Sequence, residues 1–362
     1  MSCNQSIKTK VSIPVVPNGS TPTHLVGSKS NTSTRFVISD NPETISPSIP
    51  FENGFATLWH DTTTGETSIR YRVFLWHLNK RGTPIKVGIT VGNAGTTSYS
   101  IHNLKSSVAV VNNFVEQGRC TATALVADTL DSISATDSSV SAGNVGVVKE
   151  WIVPADSLVG GVIEFSLSNT ATSTGMVYKL RTVAASSSTA NLRQNQNKVT
   201  PYVTGPTGQV HPRGSWNFAD IASSVNYAAG TGWKYFNMSN AQSDNLMTAS
   251  TSYDPSNAAA SNKGHYGAKY NLTVNLTNTT GFQKVIKIYI GARVDPYGGA
   301  VKWSGDGVTY TIPTLAGPGA STQEAVEVAK VTLEHGQSIS RVIYSSAAGG
   351  LSTPALVAFQ TV

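Results

Sequence analysis

The sequence predicts an all-β protein of two tandem, duplicated antiparallel β-sandwiches of the jelly-roll or immunoglobulin-like kind, preceded by an extended N-terminal arm. Three observations predict it: an internal duplication, apolar residues that alternate with polar ones, and turn residues between the alternating segments. Alternation with a period of two is typical of a strand that buries one face. The predicted strands do not alternate with helices as they do in βαβ units. A sandwich is therefore favoured over a parallel sheet covered by helices.

The duplication aligns RYRVFLWHLNKRGTPIKVGITVG (70–92) with KYNLTVNLTNTTGFQKVIKIYIG (269–291) without a gap. Asn79 in the first copy meets Asn278 in the second, between two apolar runs in each. The shared Asn-x-x-Gly sequence predicts the same β-hairpin turn in both copies. The ends of the copies also match, TGMVYKLRTV (174–183) with TPALVAFQTV (353–362).

Composition divides the chain into four parts: an arm (1–34), a first sandwich (35–183), a linker (184–210) and a second sandwich (211–362). The arm is rich in Ser, Thr, Asn and Pro, and the linker in small and polar residues.

In the arm, Val11, Ile13 and Val15 alternate with polar or proline positions. Such a segment can add as a strand to an exposed sheet edge, on its own domain or on a neighbouring copy. The alternative is a tail that packs nowhere.

Alternation and turn residues predict the individual strands. In the first sandwich they span 34–39, 54–60, 67–78, 83–92, 107–114, 145–152, 161–168 and 175–183, with a short helix at 121–131. In the second sandwich the copied hairpin spans 266–291, and later strands span 307–312, 324–333, 338–345 and 356–362.

Charged residues make up only 13% of the chain, against about 25% in an average soluble protein. Low charge with abundant Ser, Thr, Asn and Gly favours an extracellular, virion or spore-surface setting. The net charge of +6 comes from scattered basic residues, so no nucleic-acid partner is expected. No apolar run is long enough to span a membrane, and no signal peptide is visible. We therefore expect either that the protein reaches the outside by cell lysis or that a signal was removed before the first numbered residue.

The sequence contains none of the motifs G-x-S-x-G, H-E-x-x-H, P-loop or G-x-G-x-x-G. We therefore expect no enzyme, no catalytic residues and no cofactor. His60, Asp61 and His77 can be imagined as a metal site, but the second copy has Leu276 in place of His77, which favours structural histidines and no metal.

Asp128, Asp131 and Asp137 share one Ser-rich segment. They lack the spacing of an EF-hand, so a solvated loop is expected rather than a calcium site.

The second sandwich carries aromatic residues near its loops that can stack on a glycan: Trp216, Trp233, Tyr253, Tyr297 and Trp303. Packing in the core or at an interface is the alternative explanation for them.

The chain has two cysteines, Cys3 in the arm and Cys120 in the first sandwich. In an oxidising setting a Cys3–Cys120 bridge would fasten the arm, within the chain or onto the next subunit. Bridges between subunits would produce an open filament. Two unpaired thiols are the alternative.

The run from 41 to 95 resembles a group of uncharacterised secreted or surface proteins of spore-forming Gram-positive bacteria. The features that carry the resemblance are 61–65, 72–74, His77, Asn79, 82–84 and 93–95, together with HPRGSW at 211–216. The resemblance implies a bacterial envelope or spore context and no known reaction. The idea of a covalently attached arm is also similar, in architecture alone, to spore-appendage subunits.

These observations together predict a non-enzymatic structural subunit that assembles with itself into a surface filament, such as a spore appendage or envelope fibre. Strand addition by the arm would join the subunits. The alternatives are an adhesin that binds a glycan or a cell or spore surface, and a structural protein of a phage or virion. A secreted hydrolase with an unrecognised site is a further reading.

Overall fold

The structure is a computed structural model that describes residues 5–17, 20–171, 174–205 and 208–362, with the side chains of 62–64 outside the description. The described part is nearly all β, and its one α-helix lies in the first sandwich. No helix in this part is both long and apolar enough to cross a membrane.

The strands follow one another in three groups along the chain. The arm contains β1 (Lys10–Pro14), β2 (Thr23–His24) and β3 (Ser28–Ser30). The first sandwich contains β4 (Thr34–Ser39), β5 (Thr44–Ile45), β6 (Phe55–Thr64), β7 (Ser68–Asn79), β8 (Ile85–Asn93), β9 (Tyr99–Ser106), β10 (Ala109–Val111), α1 (Phe114–Ala127), β11 (Asp131–Ser132), β12 (Ser139–Val140), β13 (Val145–Val153), β14 (Leu158–Asn169) and β15 (Val177–Ala185). After the linker come β16 (Arg213–Trp216), β17 (Asp220–Ala228), β18 (Lys234–Met238), β19 (Lys269–Thr277), β20 (Lys284–Ala292), β21 (Tyr297–Trp303), β22 (Thr309–Leu315), β23 (Thr322–Leu333), β24 (Ser338–Ala347) and β25 (Ala355–Thr361).

The two sandwiches share one topology. In the first, one sheet contains the order β9-β14-β7-β4 and the facing sheet the order β13-β8-β15-β6. In the second, the matching orders are β21-β24-β19-β17 and β23-β20-β25-β18. The prediction of two tandem, duplicated β-sandwiches is therefore confirmed.

The predicted hairpins are wrong. β7 and β8 lie in opposite sheets of the first sandwich, and β19 and β20 lie in opposite sheets of the second. The Asn-x-x-Gly segment is thus a turn that carries the chain from one sheet to the other. In addition, β4 and the short β5 both pair in parallel with β7, and β17 pairs in parallel with β19, so neither sandwich is purely antiparallel as predicted.

Several element boundaries also differ from the prediction. The helix begins at Phe114 rather than at 121, because Asn113 caps it by accepting a hydrogen bond from the Glu116 N–H. The strand predicted at 107–114 is replaced by the short β10 and the start of the helix, and β9, just before it, was not predicted. Strands β17, β18 and β21 were not predicted, since none shows a long alternating run.

One buried asparagine stabilises the turn between the sheets in each copy. The Asn79 Nδ2 donates to the carbonyls of Thr83 (2.8 Å) and Val153 (2.9 Å), and its Oδ1 accepts from the Arg81 N–H. Asn278 makes the same three bonds, to Phe282 (2.7 Å), Leu333 (2.8 Å) and the Thr280 N–H. Both copies have therefore kept an asparagine whose side chain forms hydrogen bonds with backbone groups of the turn and of a neighbouring strand end. Such groups need a partner when they are removed from water.

The two sandwiches pack against each other through one continuous apolar core. Phe36 stacks on Trp216 at 6.2 Å, which joins β4 to β16. β16 also pairs with β4, so the chain after the linker first completes a sheet of the first sandwich. The cluster includes Phe36, Ile38, Phe74 and Trp76 from the first sandwich, and Phe218, Ile221, Tyr270 and Tyr297 from the second.

The arm lies along the second sandwich of its own chain. β1 pairs with β23 and β2 with β18, at opposite edges of one sheet. β3 pairs with β17 at an edge of the other sheet, and Ile7 bridges to Thr311 in β22 at the remaining edge.

We expect Asn79→Ala and Asn278→Ala each to lower the free energy of unfolding by about 2–4 kcal/mol, because each change leaves two buried carbonyls and one N–H without a partner. Urea unfolding checks this. The control Asn144→Ala, at an exposed turn residue, should change stability by less than about 0.5 kcal/mol. Equal effects at all three positions would contradict the structural role of the buried asparagines.

Candidate functional site in the cleft between the sandwiches

Buried ion pairs join the sandwiches on one side of their junction. Arg72 on β7 donates from Nε to Glu164 (2.7 Å) and from Nη1 to Asp220 of the second sandwich (2.5 Å). Asp220 also accepts from the Lys269 N–H at 2.8 Å and from Asn31 Nδ2 at 3.1 Å. One carboxylate therefore ties together both sandwiches and the end of the arm.

A second buried network surrounds Asp61. Arg35 donates to both of its oxygens at 2.9 Å, Tyr71 donates to Oδ2 at 2.8 Å, and Ser215, beyond the linker, donates to Oδ1 at 2.8 Å. The Tyr253 ring covers the Arg35 guanidinium at 3.1 Å. The networks of Asp220 and Asp61 both join the two sandwiches. A cleft lies between the sandwiches.

The cleft has a volume of about 410 Å³, within the range of small-molecule sites. Its walls come from the loop after β4, from β7, from the end of the linker, from the segment before β19 and from the β24–β25 loop. The lining residues are Asp40, Glu43, Phe74, Trp76, Gln209, Val210, His211, Pro212, Tyr266, Gly349, Gly350, Leu351 and Ser352. A second cavity of about 400 Å³ adjoins it through Glu43, Gln209 and His211.

Aromatic side chains form the apolar wall. Trp76 stacks on Phe74 with ring centroids 5.7 Å apart, and the Tyr266 hydroxyl donates to the Leu351 carbonyl at 2.6 Å. A Cβ on Gly349 would lie 2.8 Å from the Trp76 ring, so glycine is needed for this close approach.

The acidic wall is a short loop, residues 40–43, that is fixed from three sides. The Asp40 N–H donates to the Pro212 carbonyl (3.1 Å), and Asn41 exchanges two hydrogen bonds with the Val203 backbone (2.8 and 2.9 Å). The Pro42 carbonyl accepts from His77 Nδ1 at 2.7 Å. The loop that carries the carboxylates of Asp40 and Glu43 is therefore held in place by these contacts.

His211 lies between these two carboxylates. Its Nδ1 is 3.4 Å from Asp40 Oδ2, and its Nε2 is 3.1 Å from Glu43 Oε2. Burial raises the pKa of Asp40 to about 7, although the neighbouring His211 opposes the shift. The hydrogen bond to Asp40 raises the pKa of His211. Asp40 is 6% exposed, and its Oδ1 has no hydrogen-bond partner among the described residues.

The aromatic residues predicted to contact glycans are mostly in the core. Trp216, Tyr297 and Trp303 are 1%, 1% and 7% exposed, so the prediction is wrong for these three, whose rings pack inside the protein instead. Tyr253 is 49% exposed, but it stacks on Arg35. Trp233 is half-buried and stacks between Tyr235 (5.8 Å) and Tyr289 (5.6 Å).

The residues weighed as metal ligands do not come together. Asp61 pairs with Arg35, His60 lies 2.6 Å from Asp254, and His77 is buried against Pro42. Of the three aspartates weighed for calcium, Asp128 pairs with Lys269 at 2.7 Å and Asp137 with Arg193 at 2.6 Å, while Asp131 lies exposed in β11.

Of the predicted arm residues, Ile13 is 2% exposed, and Val11 and Val15 are half-buried. Cys3 lies outside the described residues, so the Cys3–Cys120 bridge stays a prediction. Cys120 is half-buried on α1, with its Sγ 3.6 Å from Glu116 Oε1.

The cluster of Asp40, Glu43 and His211 was not predicted from the sequence, from which no metal ligands were expected. Two features of the sequence could have indicated this cluster: the Asp-x-x-Glu spacing after β4 and the histidine that opens HPRGSW. Neither signal is specific alone, because the residues meet only when β16 pairs with β4.

No protein-family model and no curated protein matches the chain. Two solved structures with which it can be aligned are the CUB1-EGF-CUB2 domain of human MASP-1/3 and the CBM22-1–CBM22-2 tandem domain of Paenibacillus barcinonensis Xyn10C. The first is 8% identical, with 86% of this chain and all of the other covered, and a TM-score of 0.17. The second is 10% identical, with 96% and 92% covered, and a TM-score of 0.17. At such scores neither alignment bears on function, and the fold rests on the sheet topology of the chain itself.

Two buried neutral histidines make stability depend on pH. His77 donates to Pro42 and accepts from Ser39, and His265 makes the equivalent pair of bonds to Asp244 and Ser239. Burial lowers the pKa of each to about 4, from 6.5. The unfolded chain therefore binds more protons than the folded chain between pH 6.5 and 4, so stability is lost as the pH falls through this window.

We expect each histidine to contribute up to about 3 kcal/mol of this loss. Urea unfolding from pH 8 to pH 4 measures it. In His77→Gln the slope of stability against pH should become shallower below pH 6.5, whereas the exposed-site control His102→Gln should keep the slope of the parent protein. An unchanged slope in His77→Gln would contradict a buried neutral imidazole.

Proposed function

We propose that the chain is a non-enzymatic structural protein of a cell, spore or virion surface, and that copies of it assemble by exchanging their N-terminal arms. The observation that carries the proposal is the arm itself: a separate set of strands that touches all four sheet edges of the second sandwich.

The arm is held as an added strand. Residues Lys10–Pro14 of β1 pair antiparallel with residues 322–326 of β23. Ile13 enters an apolar cluster with Tyr289, Ala325, Leu356 and Ala358. Burial of one such side chain contributes about 1.5–3 kcal/mol.

The aromatic stack around Trp233 belongs to this same cluster. Trp233 and Tyr235 pack with Val11, Val16 and Ile13 of the arm, and the Tyr235 hydroxyl lies 3.4 Å from the Pro14 carbonyl. This supports a role for Trp233 in binding the arm, and it leaves the glycan-binding adhesin without a specific observation in its favour.

Without the arm, β23, β18 and β17 would be exposed edge strands, which readily pair with another chain. An arm that completes these sheets in its own chain can complete the same sheets in a second copy with the same contacts. Exchange of an identical element is a low-cost route to assembly, and a head-to-tail exchange that does not close into a ring gives a filament.

Residues 6–8 of the arm lie beside β22, close to helix α1. Ser6 and Lys8 exchange backbone hydrogen bonds with Thr311 (3.0 Å each), whose hydroxyl lies 2.9 Å from that of Thr123. Thr123 is one helical turn beyond Cys120. These contacts support a Cys3–Cys120 bridge. The bridge would form within the chain when the arm packs on its own sandwich, and between chains when the arm is exchanged.

The surface setting rests on the low charge and on the resemblance to surface proteins of spore-forming bacteria. A virion is a second setting for the same structural role, because self-assembly and a scarcity of charge are compatible with both.

Light scattering and negative-stain microscopy test the proposal on the full chain after it is refolded at high concentration. We expect linear oligomers that increase with concentration. The change Ile13→Asn removes the buried contact of the arm and should reduce them at least several-fold. The matched control Ser12→Asn places the same side chain on the exposed face of β1 and should leave them unchanged.

Gel electrophoresis with and without reductant shows whether the oligomers are covalent. A ladder that collapses on reduction supports bridges between chains. Monomers at every concentration, or equal assembly by Ile13→Asn and Ser12→Asn, would contradict arm exchange and make a surface-binding module the better hypothesis.

A further inference from the structure

We propose that Asp40, Glu43 and His211 bind a divalent transition-metal cation, with Zn²⁺ as the best-matched ion, in the cleft between the sandwiches. The site is independent of arm exchange and goes beyond the structural role.

The three side chains already present a compact donor set. One ligand atom from each, a histidine nitrogen and two carboxylate oxygens, lies within 4.8 Å of the other two. Zinc sites hold such atoms at about 2.0–2.2 Å from the metal. His211 faces Asp40 with Nδ1 and Glu43 with Nε2, so binding through one nitrogen replaces one of these two contacts. The Glu43 and His211 side chains, which must move inward, are both half-buried rather than packed in the core.

A second observation points to a ligand independently of the cluster. Asp40 lines the cleft, is 94% buried, and leaves its Oδ1 without a hydrogen-bond partner among the described residues. A buried polar atom without a partner is costly. A cation bound by this carboxylate would remove that cost, whereas the exposed carboxylates Asp128 and Asp131 offer no comparable feature.

Hydrogen bonds fix the loop that carries two of the three ligands. The loop with Asp40 and Glu43 is held by His77, Asn41 and the Pro212 carbonyl. A fixed loop lowers the entropy that is lost when its side chains bind an ion. His211 follows directly on the cleft residues Gln209 and Val210, so its backbone is also part of the wall.

The donor chemistry selects the class of ion. Imidazole with carboxylates suits zinc and its transition-metal neighbours, whereas calcium and magnesium prefer oxygen ligands alone. Three protein ligands leave one position of a tetrahedral site open. In this protein the open position would face the 410 Å³ cleft and its Trp76 and Tyr266 wall.

Isothermal titration of the tag-free, chelator-treated full chain with ZnCl₂ tests the proposal. Visible absorption after addition of CoCl₂ gives a second readout, because tetrahedral cobalt absorbs more strongly than cobalt in water. We expect one ion per chain. His211→Gln and Glu43→Gln should each weaken binding at least ten-fold, and Asp40→Asn should do the same.

His102→Gln is the matched control, since it removes an exposed histidine far from the cleft and should leave affinity unchanged. Thermal melts in metal-free buffer identify any variant that fails to fold. If His211→Gln or Asp40→Asn fails to fold, Glu43→Gln still tests the site, because Glu43 is half-buried and its replacement should be tolerated. Absence of one-to-one binding by the parent protein, or equal affinity in His211→Gln and His102→Gln, would overturn the proposal.

Discussion

The rest of the structure depends on the two buried ion pairs that the Arg72 guanidinium forms. It lies between Glu164 of its own sandwich and Asp220 of the other. Removing one partner of a buried ion pair leaves a charge without compensation and typically costs about 3–5 kcal/mol. Asp220 also binds the backbone of β19 and, through Asn31, the end of the arm. This junction therefore fixes how the two sandwiches meet and where the end of the arm lies.

The duplication explains the strand order of the two sandwiches, but it does not explain the cleft between them. Asn79 and Asn278 make the same bonds at equivalent turns, and the sheets of the two copies have the same strand order. Strand β7 supplies Phe74 and Trp76 to the cleft, but Asp40, Glu43 and His211 come from segments outside the aligned stretches: the loop after β4 and the end of the linker. His77 illustrates the divergence, because the first copy uses it to support that loop, whereas the second copy has Leu276 in its place. Tandem copies of one sandwich have thus produced a single asymmetric junction.

Much of the fold could be predicted from the sequence, because alternating apolar residues report which strands bury one face. The pairing of those strands could not. An Asn-x-x-Gly turn has the same local chemistry whether it joins neighbours in one sheet or carries the chain across a sandwich, and only packing decides between them. Likewise, Asp40 and His211 are remote in sequence and meet because β16 pairs with β4. Trp216, Tyr297 and Trp303 lie near loops in sequence, yet their rings complete the core.

We infer that the two copies of the sandwich fold as a single unit because a shared core and buried ion pairs join them. Differential scanning calorimetry of the full chain tests this most directly. We expect one transition whose calorimetric and van't Hoff enthalpies agree, and a lower midpoint without splitting in a variant that weakens the arm. Two separate transitions, one for each sandwich, would show that the junction does not couple them and would contradict the account.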